Sequence, residues 1–306
     1  MGGTSWSSES YDSLKSSYRE KSTDEIFERS KSRSIMPEMD PKGITFREAR
    51  DSEVHPNTVA IIIGLDETGS MGKVPDKLIR DELDTLMDTL IKHKVEDAAV
   101  LFMGIGDHST DDAPLQVGQF ESGTQELNKW LSGVWLEKQG GPYGRESYLL
   151  AWLLAARHTS IDCFEKRGKK GYLFTIGDEN NHRKLDENFL KEALGYKQAE
   201  DLTAEQLLAE AQRTYHVFHI HVNHDHTEDE VIREWQNTLK QNFIIVNDYT
   251  TIAAVIASTI ATIEGAKLED VLKSLDKSTA VTVKNSIVNA VKTTNEGTVD
   301  EGVVVL

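Results

Sequence analysis

Three oxygen-bearing side chains alternate along one short stretch of the chain: Asp66, Thr68 and Ser70, with Gly69 between the two hydroxyls. A carboxylate and hydroxyls are the hard oxygen donors that Mg²⁺ or Mn²⁺ prefers, with Ca²⁺ as a further choice. A second carboxylate, Asp178, follows a glycine much later in the chain. We predict a divalent metal site built from these oxygens, provided that the fold brings Asp178 to the same crevice.

The residues before Asp66 predict the element that positions it. Residues 58–65 form a continuous apolar, β-branched run, which is typical of a parallel strand that is covered on both faces. Apolar residues then recur at helical spacing from 78 to 91, and residues 98–105 form a second apolar run. This order predicts a β-α-β unit.

Strand and helix patterns continue to alternate toward the carboxyl terminus. The predicted strands are 115–120, which we expect to be short and antiparallel, followed by 171–177, 215–222 and 243–246. The predicted helical segments are 146–164, 187–212, 228–239 and 250–264. This pattern indicates an α/β three-layer sandwich with a doubly wound, mostly parallel six-stranded sheet. In such folds ligands bind beyond the carboxyl ends of the strands, where Asp66 and Asp178 are expected.

The stretch 66–71 resembles the Asp-x-Ser/Thr-x-Ser signature of von Willebrand factor A domains, and the resemblance covers about residues 57–264. In that family the signature opens a metal-ion-dependent adhesion site, and the resemblance implies a central first strand with the fourth main strand beside it. It implies that Ser70 binds the metal directly. Asp66 and Asp178 would bind it directly or through water, and Thr68 would lie in or beside the ligand set.

The second metal-binding loop departs from the family pattern, because it offers no threonine after its Gly-Gly turn at 140–141. We expect Glu146 to substitute for that threonine, with Ser147 as the second choice. A glutamate would add a third acid, which raises affinity for the cation and lowers the attraction of the site for an acidic partner. The Gly-Asp-His at 106–108 also resembles a turn of intracellular family members, so Asp107 is a candidate at the rim.

Each of these residues also has an ordinary structural explanation. Asp, Thr and Ser favour turns and helix caps, and Glu146 suits a solvated first turn of a helix. The histidines at 216, 219, 221, 224 and 226 could be transition-metal ligands. Because His219 and His221 share one face of a strand while His216 lies on the other, packed histidines followed by a polar loop are the favoured interpretation. His221 and His224 could still border the metal crevice.

The bulk composition excludes several classes of function. A net charge of −17 and a pI near 5.0 disfavour binding to nucleic acid. The chain has no apolar run of about 20 residues and no apolar leader at its start, so we expect no membrane span. The single cysteine, Cys163, cannot form an internal disulfide, which favours a reducing compartment and a cytoplasmic location.

Two functions of different classes fit this sequence. The first is metal-dependent binding of a protein that supplies a carboxylate to the cation, without catalysis. The resemblance to intracellular members implies an AAA+ ATPase of the MoxR type as a partner. The alternative is a metal-dependent phosphoesterase that uses Asp107, Asp178 and strand-end histidines. The Asp-x-His that opens that class is absent, since Glu67 and Thr68 follow Asp66.

The chain divides into three predicted parts. Residues 1–56 are rich in Ser, Lys, Arg and Glu and predict an arm that is partly helical or disordered. Residues 57–265 form the metal-binding domain, and residues 266–306 form a helical extension and tail. The two extensions are expected to pack on the domain or to reach toward partners.

Overall fold

A computed structural model describes residues 4–69, 71–95, 97–138, 144–223 and 229–295, with side chains described as far as Ile287. Ser70 and the Gly-Gly turn at 140–141 therefore lie outside the described residues, as do His224, His226 and the tail beyond Asn295.

Six strands form the central sheet, and their order confirms the predicted fold class. The described strands also include short pairs outside this sheet. In chain order they are β1 (Arg47–Ala49), β2 (Val59–Asp66), β3 (Ala98–Ile105), β4 (Leu115–Val117), β5 (Arg145–Glu146), β6 (Thr159–Ile161), β7 (Gly171–Gly177), β8 (Asn180–Asn181), β9 (Lys184–Leu185), β10 (Leu202–Thr203), β11 (Tyr215–Val222) and β12 (Phe243–Val246). The sheet order is β12-β11-β7-β2-β3-β4. All neighbours are parallel except β4, which is antiparallel to β3. The first main strand is central and the fourth lies beside it.

The helices occupy both faces of this sheet. In chain order they are α1 (Ser8–Tyr18), α2 (Thr23–Ile26), α3 (Glu28–Ser32), α4 (Lys73–Lys77), α5 (Leu83–Lys92), α6 (Thr124–Ser132), α7 (Leu149–Arg157), α8 (Asp162–Glu165), α9 (Glu187–Ala193), α10 (Ala204–Thr214), α11 (Asp229–Leu239), α12 (Ile252–Ile263), α13 (Leu268–Lys273) and α14 (Lys277–Asn295). A π-helical turn, Leu78–Glu82, joins α4 to α5. Within the described part of the chain, no helix combines the length and the apolar character that a membrane span requires.

The alternation of side chains along β2 divides the core into two layers. Ile61 and Ile63 pack with residues of α5 and α12 on one face. Ile62 packs with residues of α7 and α10 on the other face. Successive side chains of a strand point to opposite faces, so a strand covered on both sides must be apolar throughout. This explains why the run that predicts β2 shows no polar alternation.

The amino-terminal segment contributes large side chains to the first of these core layers. Tyr11, Phe27 and Met39 are fully buried there. The hydroxyl of Tyr11 donates to the carbonyl of Ile79 at 3.0 Å. These contacts show arm residues packed on the sheet's helical layer, while the division of the chain into three domains stays a prediction.

The segment between β4 and β7 differs from the single helix predicted over 146–164. Residues 145–146 form the short strand β5 beside β8, and α7 then ends at Arg157, ahead of β6. The strand β6 pairs in parallel with β1 of the amino-terminal segment. The predicted helix therefore included residues of β5 and β6 that are extended in the structure. Each of these strands is held by a partner strand that is distant in sequence, β8 for β5 and β1 for β6.

Two phenylalanines of the amino-terminal segment provide a matched test of this packing. Replacing the fully buried Phe27 with alanine should lower the free energy of unfolding by about 3–5 kcal/mol, because it leaves a cavity. Replacing Phe46, which is 54% exposed, should change it by less than about 0.5 kcal/mol. Urea unfolding measures both, and equal effects would show that the segment does not pack on the core as described.

Candidate metal centre

The carboxyl ends of β2 and β7 place the two predicted aspartates side by side. Leu65 of β2 is in register with Ile176 of β7. Asp66, the last residue of β2, therefore lies next to Gly177, the last residue of β7. Asp178 follows β7 directly. The charge of Asp178 acts on the carboxyl group of Asp66. The fold thus brings together two acids that are far apart in sequence.

Asp66 is buried and held by donors on both of its oxygens. Its Oδ1 accepts hydrogen bonds from the amide of Thr68 at 2.9 Å and from the hydroxyl of Thr68 at 2.5 Å. Its Oδ2 accepts a hydrogen bond from the hydroxyl of Tyr148 at 2.7 Å. The contacts with Thr68 are those of an ordinary Asx turn. The turn and a metal site are compatible, because Oδ2 accepts one hydrogen bond and keeps a second lone pair for a cation.

Glu146 lies in β5 rather than in the first turn of a helix, which begins at Leu149. Its side chain is buried, and its Oε2 has no hydrogen-bond partner among the described residues. The alternative explanation of a solvated glutamate in the first turn of a helix is therefore wrong, and the metal-ligand role of Glu146 stays a prediction. Ser147, the second choice, uses its hydroxyl to accept a hydrogen bond from the amide of His108 at 2.8 Å.

Burial and mutual repulsion dominate the electrostatics of these acids. Burial, together with the charge of Asp178, raises the pKa of Asp66 from 3.8 to about 7. Burial, followed by the charge of Asp66, raises the pKa of Glu146 from 4.5 to about 10. Each ionised form lacks the solvation that water would give it. In the absence of a cation, the site therefore favours protons on these oxygens.

Two further residues of the site were not predicted from the sequence. Glu67 is fully buried, accepts a hydrogen bond from the side-chain amide of Gln116, and has a pKa raised well above its usual value, mainly by burial. Its carboxylate lies over Gly104, where a Cβ atom would collide with Oε2 of Glu67. Tyr148 lies against Gly177 in the same way. Gly104 and Gly177, which lie near the carboxyl ends of β3 and β7, were the available signal, since a glycine leaves room for a larger side chain from a neighbouring segment.

Asp107 is fully buried rather than placed at an exposed rim. Its Oδ1 lies 2.7 Å from Nε2 of His182 and accepts hydrogen bonds from the amide and hydroxyl of Ser109. Although burial acts in the opposite direction, the hydrogen bonds from His182 and Ser109 lower the pKa of Asp107 to about 2. Asp107 therefore remains ionised over the whole physiological range.

The strand histidines pack within the protein as the alternation of β11 predicts. The ring of His219 stacks on Trp235 at 3.7 Å, and its Nδ1 lies 2.9 Å from the hydroxyl oxygen of Thr175. His216 stacks on Tyr172 on the other face. Burial lowers the pKa of His219 well below its usual value, so its ring is neutral.

No family model and no curated protein matches this chain. Among solved structures, the pilus adhesin SpaC from Lactobacillus rhamnosus GG in its open conformation is 11% identical, with a TM-score of 0.42. That match covers 70% of this chain and 30% of the adhesin. A second structure of the adhesin is 14% identical over 72% of this chain and 31% of that one, with a TM-score of 0.43.

A von Willebrand factor type A protein from Catenulispora acidiphila is also similar. It is 14% identical with a TM-score of 0.40, and the match covers 69% of this chain and 44% of that one. The chain thus spans less than half the length of each of these solved proteins. Its own sheet order, with β2 central and β7 beside it, makes the fold von Willebrand factor A-like.

The raised pKa of Asp66 predicts how stability depends on pH. Between its ordinary 3.8 and about 7 the folded state keeps a proton that the unfolded state has lost. In EDTA the free energy of unfolding should therefore fall as the pH rises from about 5 to 7, by up to about 1.4 kcal/mol per unit. Glu146 adds a contribution of the same sign.

Asp66→Asn should flatten this slope, because an amide does not titrate. Asp12→Asn is the matched control, since Asp12 is an exposed residue of α1. Chemical unfolding at several pH values measures the slopes. Equal slopes for the parent protein and Asp66→Asn would contradict the assignment of this pKa.

Proposed function

We propose that this chain binds a divalent cation, Mg²⁺ or Mn²⁺ with Ca²⁺ as a further choice, at the carboxyl edge of its sheet. The ligands are Asp66, Thr68, Ser70, Asp178 and Glu146. We further propose that the site binds another protein through a carboxylate of that partner. The observation that carries the proposal is the buried Oε2 of Glu146, which has no hydrogen-bond partner among the described residues although the charge of Asp66 acts on its carboxyl group.

The donor set fits a hard cation. A buried polar oxygen without a hydrogen bond costs about 1–3 kcal/mol, and repulsion between buried carboxylates adds to that cost. Both costs are removed when a divalent ion binds these oxygens. Thr68 and Tyr148 hold the Asp66 carboxylate in a fixed orientation, so little ordering is left for the binding step.

The charge of the whole chain bears on how an acidic partner would bind. At a net charge of −17, long-range electrostatics repel an acidic surface. A divalent cation bound at the site would supply an open coordination position for the partner's carboxylate. Thr68 and Tyr148 would contribute by holding the carboxylate of Asp66 in place, and the surrounding residues by burying Asp66 and Glu146. We therefore expect a contact that is local and depends on the metal.

Binding is proposed in preference to catalysis because the assigned side chains are oxygen donors that neighbouring groups hold in place. The cytoplasmic location and an AAA+ ATPase of the MoxR type as partner remain proposals. They rest on the single cysteine and on the resemblance of the second loop and of residues 106–108 to intracellular family members.

A metal-dependent phosphoesterase is the second candidate, and one observation favours it. Asp107 contacts His182, and both lie near Glu146, so acids and an imidazole occur close together. His219, in contrast, packs against Trp235 and is not available at this edge. Release of phosphate by the purified, metal-loaded protein would favour this candidate over protein binding.

The proposed interaction predicts partner recovery that depends on the cation. The tagged full chain, incubated with lysate of its native cells, should retain a partner in Mg²⁺ and lose it in EDTA. Asp66→Asn and Ser70→Ala should each reduce recovery in Mg²⁺ at least about tenfold, because each removes a proposed ligand.

Asp12→Asn, at an exposed position of α1, is the matched control and should leave recovery unchanged. The interaction proposal fails if the same proteins are recovered in Mg²⁺ and EDTA. It also fails if neither Asp66→Asn nor Ser70→Ala changes the set of recovered proteins.

A further inference from the structure

A second group of metal-binding side chains lies beside the carboxylate site. Asp107 and His108 follow β3, and His182 follows β8. One ligand-capable atom from each of the three lies within 4.8 Å of those from the other two. The rings of His108 and His182 meet edge to face, with centroids 4.4 Å apart. Two imidazoles and one carboxylate thus converge from two loops.

Neighbouring groups hold these side chains in place. The hydroxyl oxygen of Ser147 accepts the amide of His108 and lies 2.7 Å from its Nδ1. When Nδ1 carries the proton and donates it to that oxygen, Nε2 of His108 keeps its lone pair. Ligating histidines are commonly oriented by such a hydrogen bond from the other ring nitrogen. Ser109 fixes the carboxylate of Asp107 in a comparable way.

We propose that Asp107, His108 and His182 hold a divalent transition metal, with Zn²⁺ as the ion to test. Imidazole ligands favour Zn²⁺ and its neighbours in the periodic table over Mg²⁺, which prefers oxygen. Ligand atoms of a tetrahedral zinc site lie about 3.3 Å apart, given bonds of about 2.0 Å. The 2.7 Å between Asp107 and His182 lies on one side of that value and the 4.8 Å limit on the other. Small side-chain rotations would complete the site, together with loss of the proton that Nε2 of His182 donates to Asp107.

Three protein ligands leave a fourth position for water or an external ligand. His182 lines a groove of about 900 Å³ between α10 and α11, together with Trp152, Arg183 and Arg233. Its side chain is 17% exposed, while Asp107 is fully buried. The groove therefore gives an ion from solvent access to His182, the ligand of the three that lines it.

The segment 145–147 connects this group to the carboxylate site. The amide of His182 donates to the carbonyl of Glu146 at 3.1 Å, and the amide of Ser147 donates to the carbonyl of Gly106 at 3.1 Å. Glu146 therefore belongs to the oxygen site through its side chain, while its neighbour Ser147 orients His108. The two sites differ in ligand chemistry, so they can be tested independently.

The test uses the full chain without a histidine tag, stripped with EDTA and titrated with Zn²⁺ by calorimetry. Co²⁺ provides a second probe, because four-coordinate Co²⁺ has strong visible absorption. We expect a Zn²⁺ site whose X-ray absorption spectrum shows two imidazoles. His182→Gln and His108→Gln should each weaken Zn²⁺ binding at least about tenfold, and Ser147→Ala should weaken it by about 10–100-fold.

His216→Gln is the matched control, because His216 stacks on Tyr172 at the start of β11 and should not affect Zn²⁺ binding. Asp66→Asn should also retain Zn²⁺, which separates this site from the oxygen site. Unchanged thermal unfolding of the metal-free variants excludes misfolding as the cause of a loss. Unchanged affinity in folded His182→Gln and His108→Gln would overturn the proposal, and so would loss of Zn²⁺ in Asp66→Asn.

Discussion

The burial of several carboxyl groups at one end of one sheet is the constraint on which the rest of the site depends. Asp66, Glu67 and Glu146 are each at most 3% exposed, and all three have raised pKa values because burial removes the solvation of their charged forms. Such a cluster persists only if protons, hydrogen-bond donors or a cation compensate the charge. The contacts of Tyr148, Thr68 and Gln116 supply part of this compensation. The remainder is what we assign to a divalent ion.

Glu146 decides how the site would treat an acidic partner. Without a cation, burial raises the pKa of Glu146 and favours its neutral form near neutral pH. A bound cation would displace that proton, because a carboxylate binds a metal in its ionised form. If Asp66, Asp178 and Glu146 were then all ionised, a divalent ion would leave a net charge of about −1, which would weaken the long-range attraction of a further carboxylate. The proposed contact with a partner would therefore depend on direct coordination to the ion.

The sequence predicted the parts of this structure that depend on local pattern. Apolar runs identified β2, β3, β7, β11 and β12, and the alternation of elements predicted the parallel sheet and the approach of Asp178 to Asp66. Residues whose environment depends on distant segments were harder to predict. Glu146 lies in a strand because β8 pairs with it, and Tyr148 reaches Asp66 over Gly177. The contact of Asp107 with His182 joins loops that sequence periodicity cannot relate.

Diffraction from crystals grown with Mn²⁺, recorded for its anomalous signal, is the measurement that tests the central claim most directly. The account predicts an anomalous peak beside the carboxylates of Asp66 and Asp178, within about 2–2.5 Å of the side chains that bind it directly. The same peak should lie next to Oε2 of Glu146, a buried oxygen that has no hydrogen-bond partner among the described residues. Well-ordered density for these three side chains with no peak among them, at saturating Mn²⁺, would contradict the account.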